Sequence, residues 1–226
     1  MIDAVIFDFD GLIVDTEWNG FQALVSVYAQ YGAELALADF VKSVGTRGAV
    51  DWGHLLQLKT GRSGPTDLEL RDLCTPHERA GLNSLAILPG VHHWLGDAAD
   101  AALRCAIASS SERHWIEPHL SRLQIDHHFA ALATWEGDDC GYPPKPAPDI
   151  YLHACTALGT EPRHAIALED SPNGVAAAKA AGLFCVAVPG RVTAGLDFSA
   201  ADVVVTSLAE FSLADAIALA AAGNVT

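Results

Sequence analysis

Two aspartates one residue apart, in the run Asp8-Phe9-Asp10-Gly11, are the first groups of this 226-residue chain that could do chemistry together. In an extended chain residues two apart point the same way, so the two carboxylates can share one pocket. Three later runs bring complementary groups. Ser109-Ser110-Ser111 offers hydroxyls, Pro143-Pro144-Lys145-Pro146 holds one of only four lysines, and Glu169-Asp170-Ser171 adds two more carboxylates. This set suits phosphoryl transfer, which needs a nucleophile, charge neutralisation and proton management. Asp8 can attack phosphorus and form an aspartyl phosphate. Asp10 can protonate the leaving oxygen and then deprotonate water. Asp8 and Asp170 are hard oxygen ligands of the kind magnesium takes. Lys145 can hold both the charge of the nucleophile and a phosphate oxygen. Ser109, with Ser110, Gly11 and the N–H groups of a helix start, can bind the remaining phosphate oxygens, while Ser111 caps that helix. Each run also has a bland reading: a turn or cap for the aspartates, a surface position for the lysine.

Such groups meet only if the elements carrying them end side by side. Short apolar runs precede them: Ala4-Val5-Ile6-Phe7, Cys105-Ala106-Ile107-Ala108 and Ala165-Ile166-Ala167-Leu168. Phe184 to Val188 and Asp202 to Val205 follow, with Ala130 to Ala133 as a weaker candidate. Continuous apolar runs fit strands buried on both faces, as in a parallel sheet. Helical patterns over 111–123 and 173–181 lie between them, the second followed by Gly182 where a C-cap is expected. The fold class is therefore α/β, a doubly wound, mainly parallel sheet. In such sheets ligands bind beyond the carboxyl ends of the strands, where these polar runs stand. From about Glu17 to Leu85 no strand is evident. Helices broken at Gly32, Gly45, Gly61 to Pro65 and Gly81 fill a stretch too long for a loop. The expected division is a core of residues 1–15 and 86–226, with a small α-helical domain inserted over 16–85. Pro89-Gly90 marks the return to the core.

The runs DFDGLIVDTE, AIASSS, KPAPDIY and LEDSPNGVAAAKAAGL resemble, in order and spacing, the four signature motifs of the haloacid dehalogenase superfamily. The resemblance spans nearly the whole chain. It implies a Rossmann-like core and a mobile helical cap over residues 16–85. It also implies Mg²⁺ as cofactor, Asp8 as nucleophile, Asp10 as acid/base and as a backbone-carbonyl metal ligand, and Lys145 as the motif lysine. Ser109 matches the phosphoryl-binding hydroxyl, and Asp170 the metal carboxylate. Glu169 is either a second metal ligand or an acceptor behind one. Dehalogenases of the superfamily lack an aspartate two residues after the nucleophile, so Asp10 points to phosphate esters. The subfamily that looks nearest contains β-phosphoglucomutase and sugar-phosphate phosphatases. The mutases place a histidine four residues after the Asp-Thr pair. Here Asp15-Thr16 is followed at that position by Gly20, which favours hydrolysis over mutase transfer. Arg47, Trp18, Asn19 and Trp52 are the candidates for the cap's inner face. Arg47 would touch a distal anionic or hydroxyl group, unless it is a solvated residue and the tryptophans are core.

The formal net charge is −15, which argues against nucleic acid and anionic membrane as partners. A small phosphorylated metabolite remains compatible, since a metal and local cations can reverse the field in one pocket. Five scattered cysteines without C-x-x-C spacing read as reduced thiols, and no signal or membrane segment is evident, so a cytoplasmic enzyme, monomeric by default, is expected. The ten histidines have no metal-site spacing and are expected to be solvated or capping. A reading of another class is a non-catalytic protein that binds phosphate esters on the same fold. The intact set of motif residues speaks against it.

Overall fold

A computed structural model describes residues 1–44, 50–82, 84–137 and 141–223. Six strands form one sheet: β1 (Ala4–Phe7), β2 (Arg104–Ser109), β3 (Phe129–Thr134), β4 (Ala165–Glu169), β5 (Phe184–Ala187) and β6 (Val203–Val204). Every pairing is parallel and the order is β3-β2-β1-β4-β5-β6. The chain winds outward from β1 through β2 to β3, then returns to β4 on the other side of β1. That reversal opens a crevice at the carboxyl end of β1. The last strand is shorter than its apolar run suggests, two residues rather than four.

The two faces of the sheet differ in bulk. Val5, Phe7, Cys105, Ile107, Ile166, Leu168 and Val186 point to one side. Here they meet α5 (Val91–Asp100), α6 (Arg113–Leu123) and α9 (Leu213–Gly223) through side chains such as Trp94, Leu95, Ile116 and Leu213. Ala4, Ala106, Ala108, Ala165, Ala167 and Ala187 point to the other. Small side chains let α7 (Asp149–Leu158) and α8 (Pro172–Ala181) approach the strands closely, each through alanines of its own. Close packing of this kind holds the backbone at the strand ends in place. Gly182 closes α8 in a left-handed conformation (φ +89°), as its position predicted.

Among the described residues four α-helices stand between β1 and α5: α1 (Thr16–Gln30), α2 (Leu37–Phe40), α3 (Trp52–Thr60) and α4 (Asp67–Leu82). They share a separate apolar cluster built on Phe21, Leu24, Val27, Tyr28, Leu56 and Leu70. No strand occurs there among the described residues. Gly61 ends α3, but Gly81 is not a break. It sits in the last turn of α4, where a Cβ would lie 1.8 Å from Asn19 Oδ1. Gly45 lies outside the described residues.

Candidate active site

The register of the sheet sets the site. Phe7 pairs with Ile107 on one side and Leu168 on the other. One step further on, Asp8, Ala108 and Glu169 therefore stand level at three adjacent strand ends. Lys145 reaches all three from the loop between β3 and α7. Its Nζ donates to Asp8 Oδ1 at 2.6 Å, Glu169 Oε1 at 2.6 Å and the Ala108 carbonyl at 2.9 Å. The lysine is 2 % exposed and Glu169 is fully buried. Burial alone would lower the lysine's pKa. The two carboxylates outweigh it and hold the pKa above its usual value, so Lys145 is charged.

Glu169 is itself fully engaged. Its Oε1 also accepts the Tyr151 hydroxyl at 2.6 Å, and its Oε2 accepts Ser171 Oγ at 3.3 Å. Ser171 caps α8 by accepting the N–H of Gly174 at 3.1 Å. A Cβ at Gly174 would overlap the Glu169 carboxylate at 1.8 Å, so that helix turn must be glycine for the carboxylate to sit there.

Asp8 and Asp170 occupy the same buried crevice. Burial, then the carboxylates of Glu169 and Asp10, push the Asp8 carboxyl up to about 8 against the pull of Lys145. Burial, then Asp8 and Glu169, hold Asp170 well above the carboxylate range. Asp8, Glu169 and Asp170 offer carboxylate oxygens within 4.8 Å of one another, the one such metal-capable group among the described residues. Crowded, buried, hard oxygen donors of one sign fit a divalent cation, which would relieve the repulsion that raises these pKa values. No histidine joins the group.

Asp10 stands apart from this cluster and carries a hydrogen-bond collar of its own. Thr16 Oγ1 donates to Oδ1 at 2.7 Å and Trp115 Nε1 to the same oxygen at 3.0 Å. Ser111 Oγ donates to Oδ2 at 2.6 Å, and Ser109 Oγ approaches it at 3.4 Å. The collar joins β1, the end of β2, the start of α6 and the first residue of α1. Asp8, Asp10, Ser109, Ser110, Lys145 and Asp170 all line one cavity of about 380 Å³. The Ser110 hydroxyl is buried there without a partner.

Several sequence expectations need correction. Ser111 does not cap α6: the cap residue is Glu112, without a side-chain bond, and the N–H of Arg113 is met by Glu136 at 2.9 Å instead. Gly11 has no N–H free for phosphate, since it donates to the Val14 carbonyl at 2.8 Å. Its function is to leave room: at φ +85° a Cβ would lie 2.0 Å from Asp170 Oδ2. Asn19 faces α4, not the cavity, and donates to the Glu78 carbonyl at 3.1 Å. Trp18 leans on Phe21 and takes the Arg191 guanidinium over its ring at 5.1 Å. Arg191 also pairs with Asp15 at 3.3 Å, so Trp18 marks the junction of the two parts. Trp52 stacks on Phe40 in the helical cluster. Arg47 lies outside the described residues. His119 is buried against Phe9 and Trp115 rather than solvated. The cavity walls that sequence reasoning missed are Thr16, Glu17, Ser43, Glu78, His114 and Trp115.

The profile of the family described as Haloacid dehalogenase-like hydrolase matches residues 5–188. A Bacillus subtilis (strain 168) protein named "Putative phosphatase YhcW" is 37 % identical over 214 residues, 95 % of this chain and 96 % of that protein. Hexitol phosphatase B of Escherichia coli (strain K12) is 32 % identical over 219 residues, covering 94 % and 95 %. Among solved structures, β-phosphoglucomutase from Clostridium difficile superposes with a TM-score of 0.80 over the full length of both chains. At 22 % identity that likeness speaks for the fold. CbbY from Rhodobacter sphaeroides, solved in complex with xylulose-(1,5)bisphosphate, superposes with a TM-score of 0.73 at 28 % identity, covering 95 % of this chain and 99 % of that one.

Proposed function

The chain belongs to the haloacid dehalogenase-like hydrolase family, and we propose that it is a magnesium-dependent phosphatase of a small phosphorylated metabolite, a sugar or polyol phosphomonoester. The observation that carries this reading is the pair Asp8 and Glu169, level at adjacent strand ends and bridged by Lys145 from a loop, with Asp10 held separately by its own hydrogen bonds. The named phosphatases among the relatives support it.

In this reading an Asp8 carboxylate oxygen attacks phosphorus in line, the ester P–O bond breaks, and the phosphoryl group stays on Asp8. Lys145 offsets the negative charge of Asp8 and steadies a phosphoryl oxygen. Glu169 and Tyr151 position the lysine. Asp10, directed by Thr16, Ser111 and Trp115, gives its proton to the leaving alkoxide. It then takes a proton from a water that attacks the aspartyl phosphate, which frees inorganic phosphate and restores Asp8. Ser109 and Ser110 bind phosphoryl oxygens. The carboxylates of Asp8 and Asp170, with the backbone carbonyl of Asp10, are the groups that would hold Mg²⁺. Bound there, the ion supplies charge neutralisation for the phosphoryl oxygens.

A mutase would return the phosphoryl group to a second hydroxyl of the same sugar. The position at which the mutases carry a histidine is Gly20 here, so water is the acceptor. A cytoplasmic location and the absence of nucleic-acid and membrane partners belong to the same reading. Among the described residues no helix is long and apolar enough to cross a membrane.

The test is phosphate release from a panel of sugar and polyol phosphates, nucleotides and phosphoglycolate, with and without Mg²⁺. Magnesium-dependent release from one class of sugar or polyol phosphate is expected. No release from any member would leave a non-catalytic binding protein. Isomerisation of β-glucose 1-phosphate stimulated by a bisphosphate would mean a mutase.

A further inference from the structure

The cavity has a second end. Opposite the strand ends its wall comes from the helical insertion, through Glu17 of α1, Ser43 and Glu78 of α4. A phosphoryl group seated on Asp8 leaves its alkoxide half facing these residues. Their chemistry therefore bears on what that half can be.

Both insertion residues with a charge are acids. Among the described residues neither the Glu17 nor the Glu78 carboxylate takes an ion pair or a hydrogen bond from the protein. Burial, then the carboxylates of Asp10, Asp8 and Asp15, push Glu17 up to about 8. Burial also raises Glu78. Among the described residues the cations of the cavity wall and several around it are engaged elsewhere, and Arg47 lies outside the described residues. Lys145 is the lysine in the cavity wall and is bound to Asp8 and Glu169. Lys42 and Lys59, on the same insertion, both close on Asp39, at 3.1 and 3.0 Å. Arg191 is held by Asp15 and Trp18. His114 lines the cavity but pairs with Glu112 at 3.0 Å. The described wall thus offers acceptors and donors for hydroxyl groups, and no free cation for a second phosphate or carboxylate.

We infer that Glu17 and Glu78 are specificity-determining residues that select substrates whose leaving group is an uncharged polyol or sugar and reject those with a second anionic group. The inference rests on the phosphatase reading of the same cavity and deepens it. A neutral polyol satisfies two orphan carboxyl groups through hydrogen bonds. A second phosphate there finds no cation in the described wall to offset its desolvation, and it is repelled by whatever fraction of the two acids is ionised.

The test compares fructose 6-phosphate with fructose 1,6-bisphosphate, in the full chain with Mg²⁺, as the ratio of kcat/KM values. The wild type is expected to favour the monophosphate by about 30-fold, a size typical of one uncompensated charge in a partly desolvated pocket. Glu78→Lys and Glu17→Gln should each bring the ratio down about tenfold, chiefly through KM for the bisphosphate. Glu78→Gln serves if the lysine variant fails to fold. A wild-type ratio near one or below it overturns the inference, as does a ratio unmoved in folded variants of both residues. Release from p-nitrophenyl phosphate, which carries no second anion, reports on the phosphatase reading alone. If that release is present and the ratio is flat, the selectivity fails by itself; if it is absent, both fall.

Discussion

The two ends of one cavity are built on different terms. At the strand ends Asp8, Ser109, Lys145, Glu169 and Asp170 are all buried, and Lys145 alone makes three hydrogen bonds. At the helical end Glu17, Ser43 and Glu78 are only half-buried. The first end is rigid because the sheet register places its backbone and Lys145, Glu169 and Asp10 are held by several hydrogen bonds each. The second is adaptable because its side chains wait on what the substrate brings. Chemistry that must not vary sits on strand ends; recognition that must vary sits on helices joined to them at Asp15 and Thr16.

That contrast can be broken by perturbing each end in turn. Lys145→Ala should cost the most. It removes the cation between two buried carboxylates, so turnover should fall by about 10³-fold or more, and stability by about 3–5 kcal/mol, as for other broken buried ion pairs. Steady-state kinetics and urea titration measure the two losses. A variant with near-normal turnover would mean that the strand-end cluster is only structural.

Asp10→Asn comes next, at about 10²- to 10⁴-fold. Its loss should be largest for alkyl phosphates and smaller for p-nitrophenyl phosphate, whose leaving group needs no proton. Equal losses on both would remove Asp10 from proton transfer. Trp115→Phe keeps an aromatic side chain of smaller size and removes the 3.0 Å indole bond to Asp10. A loss of about 10- to 100-fold in kcat with KM little changed is expected, since a hydrogen bond of this kind contributes about 1.5–3 kcal/mol. A change confined to KM would place Trp115 in substrate contact instead.

The smallest effect separates the ends by pH. The pKa values of Asp8 and Glu17 are raised from 3.8 and 4.5 to about 8. A carboxyl raised by folding contributes stability that is fully present below its unfolded value and lost as pH rises through its folded value. Metal-free protein should therefore melt at progressively lower temperature from pH 4 to pH 9. Glu17→Gln should remove part of that slope, worth about 2–4 °C at pH 9. Added Mg²⁺ should flatten the strand-end contribution and leave the Glu17 part. Thermal melts across pH, with and without Mg²⁺, check both statements; a slope untouched by Glu17→Gln would show that its carboxyl is not desolvated by the cavity.

Sequence reasoning could place the strand-end residues in one pocket, and the reason is local. Asp8, Ser109 and Asp170 each stand in or just beyond an apolar run long enough to be recognised as a strand, and parallel register then brings them together. Lys145 was legible for another reason, its rarity and its proline-flanked loop. Trp115 carried no such signal. It lies 105 residues from Asp10, and only the angle at which α6 leaves β2 turns its indole inward. Ser111 looked like a cap because serine before a helix usually is one; the closer carboxylate of Asp10 took its hydroxyl. On the helical side, Trp18 and Asn19 had suitable chemistry but the wrong faces. Which face of α1 meets α4 depends on tertiary packing around Phe21, Leu24 and Gly81, and no spacing within α1 reveals it. Glu17, one position earlier, is the residue that turns to the cavity.

The most direct test of the central claim is phosphate release by Asp8→Asn beside the wild type, with Mg²⁺, at folding matched by circular dichroism. The expected result is magnesium-dependent release by the wild type and none above background by the variant. Full activity in a folded Asp8→Asn protein would contradict an aspartyl-phosphate route through this site.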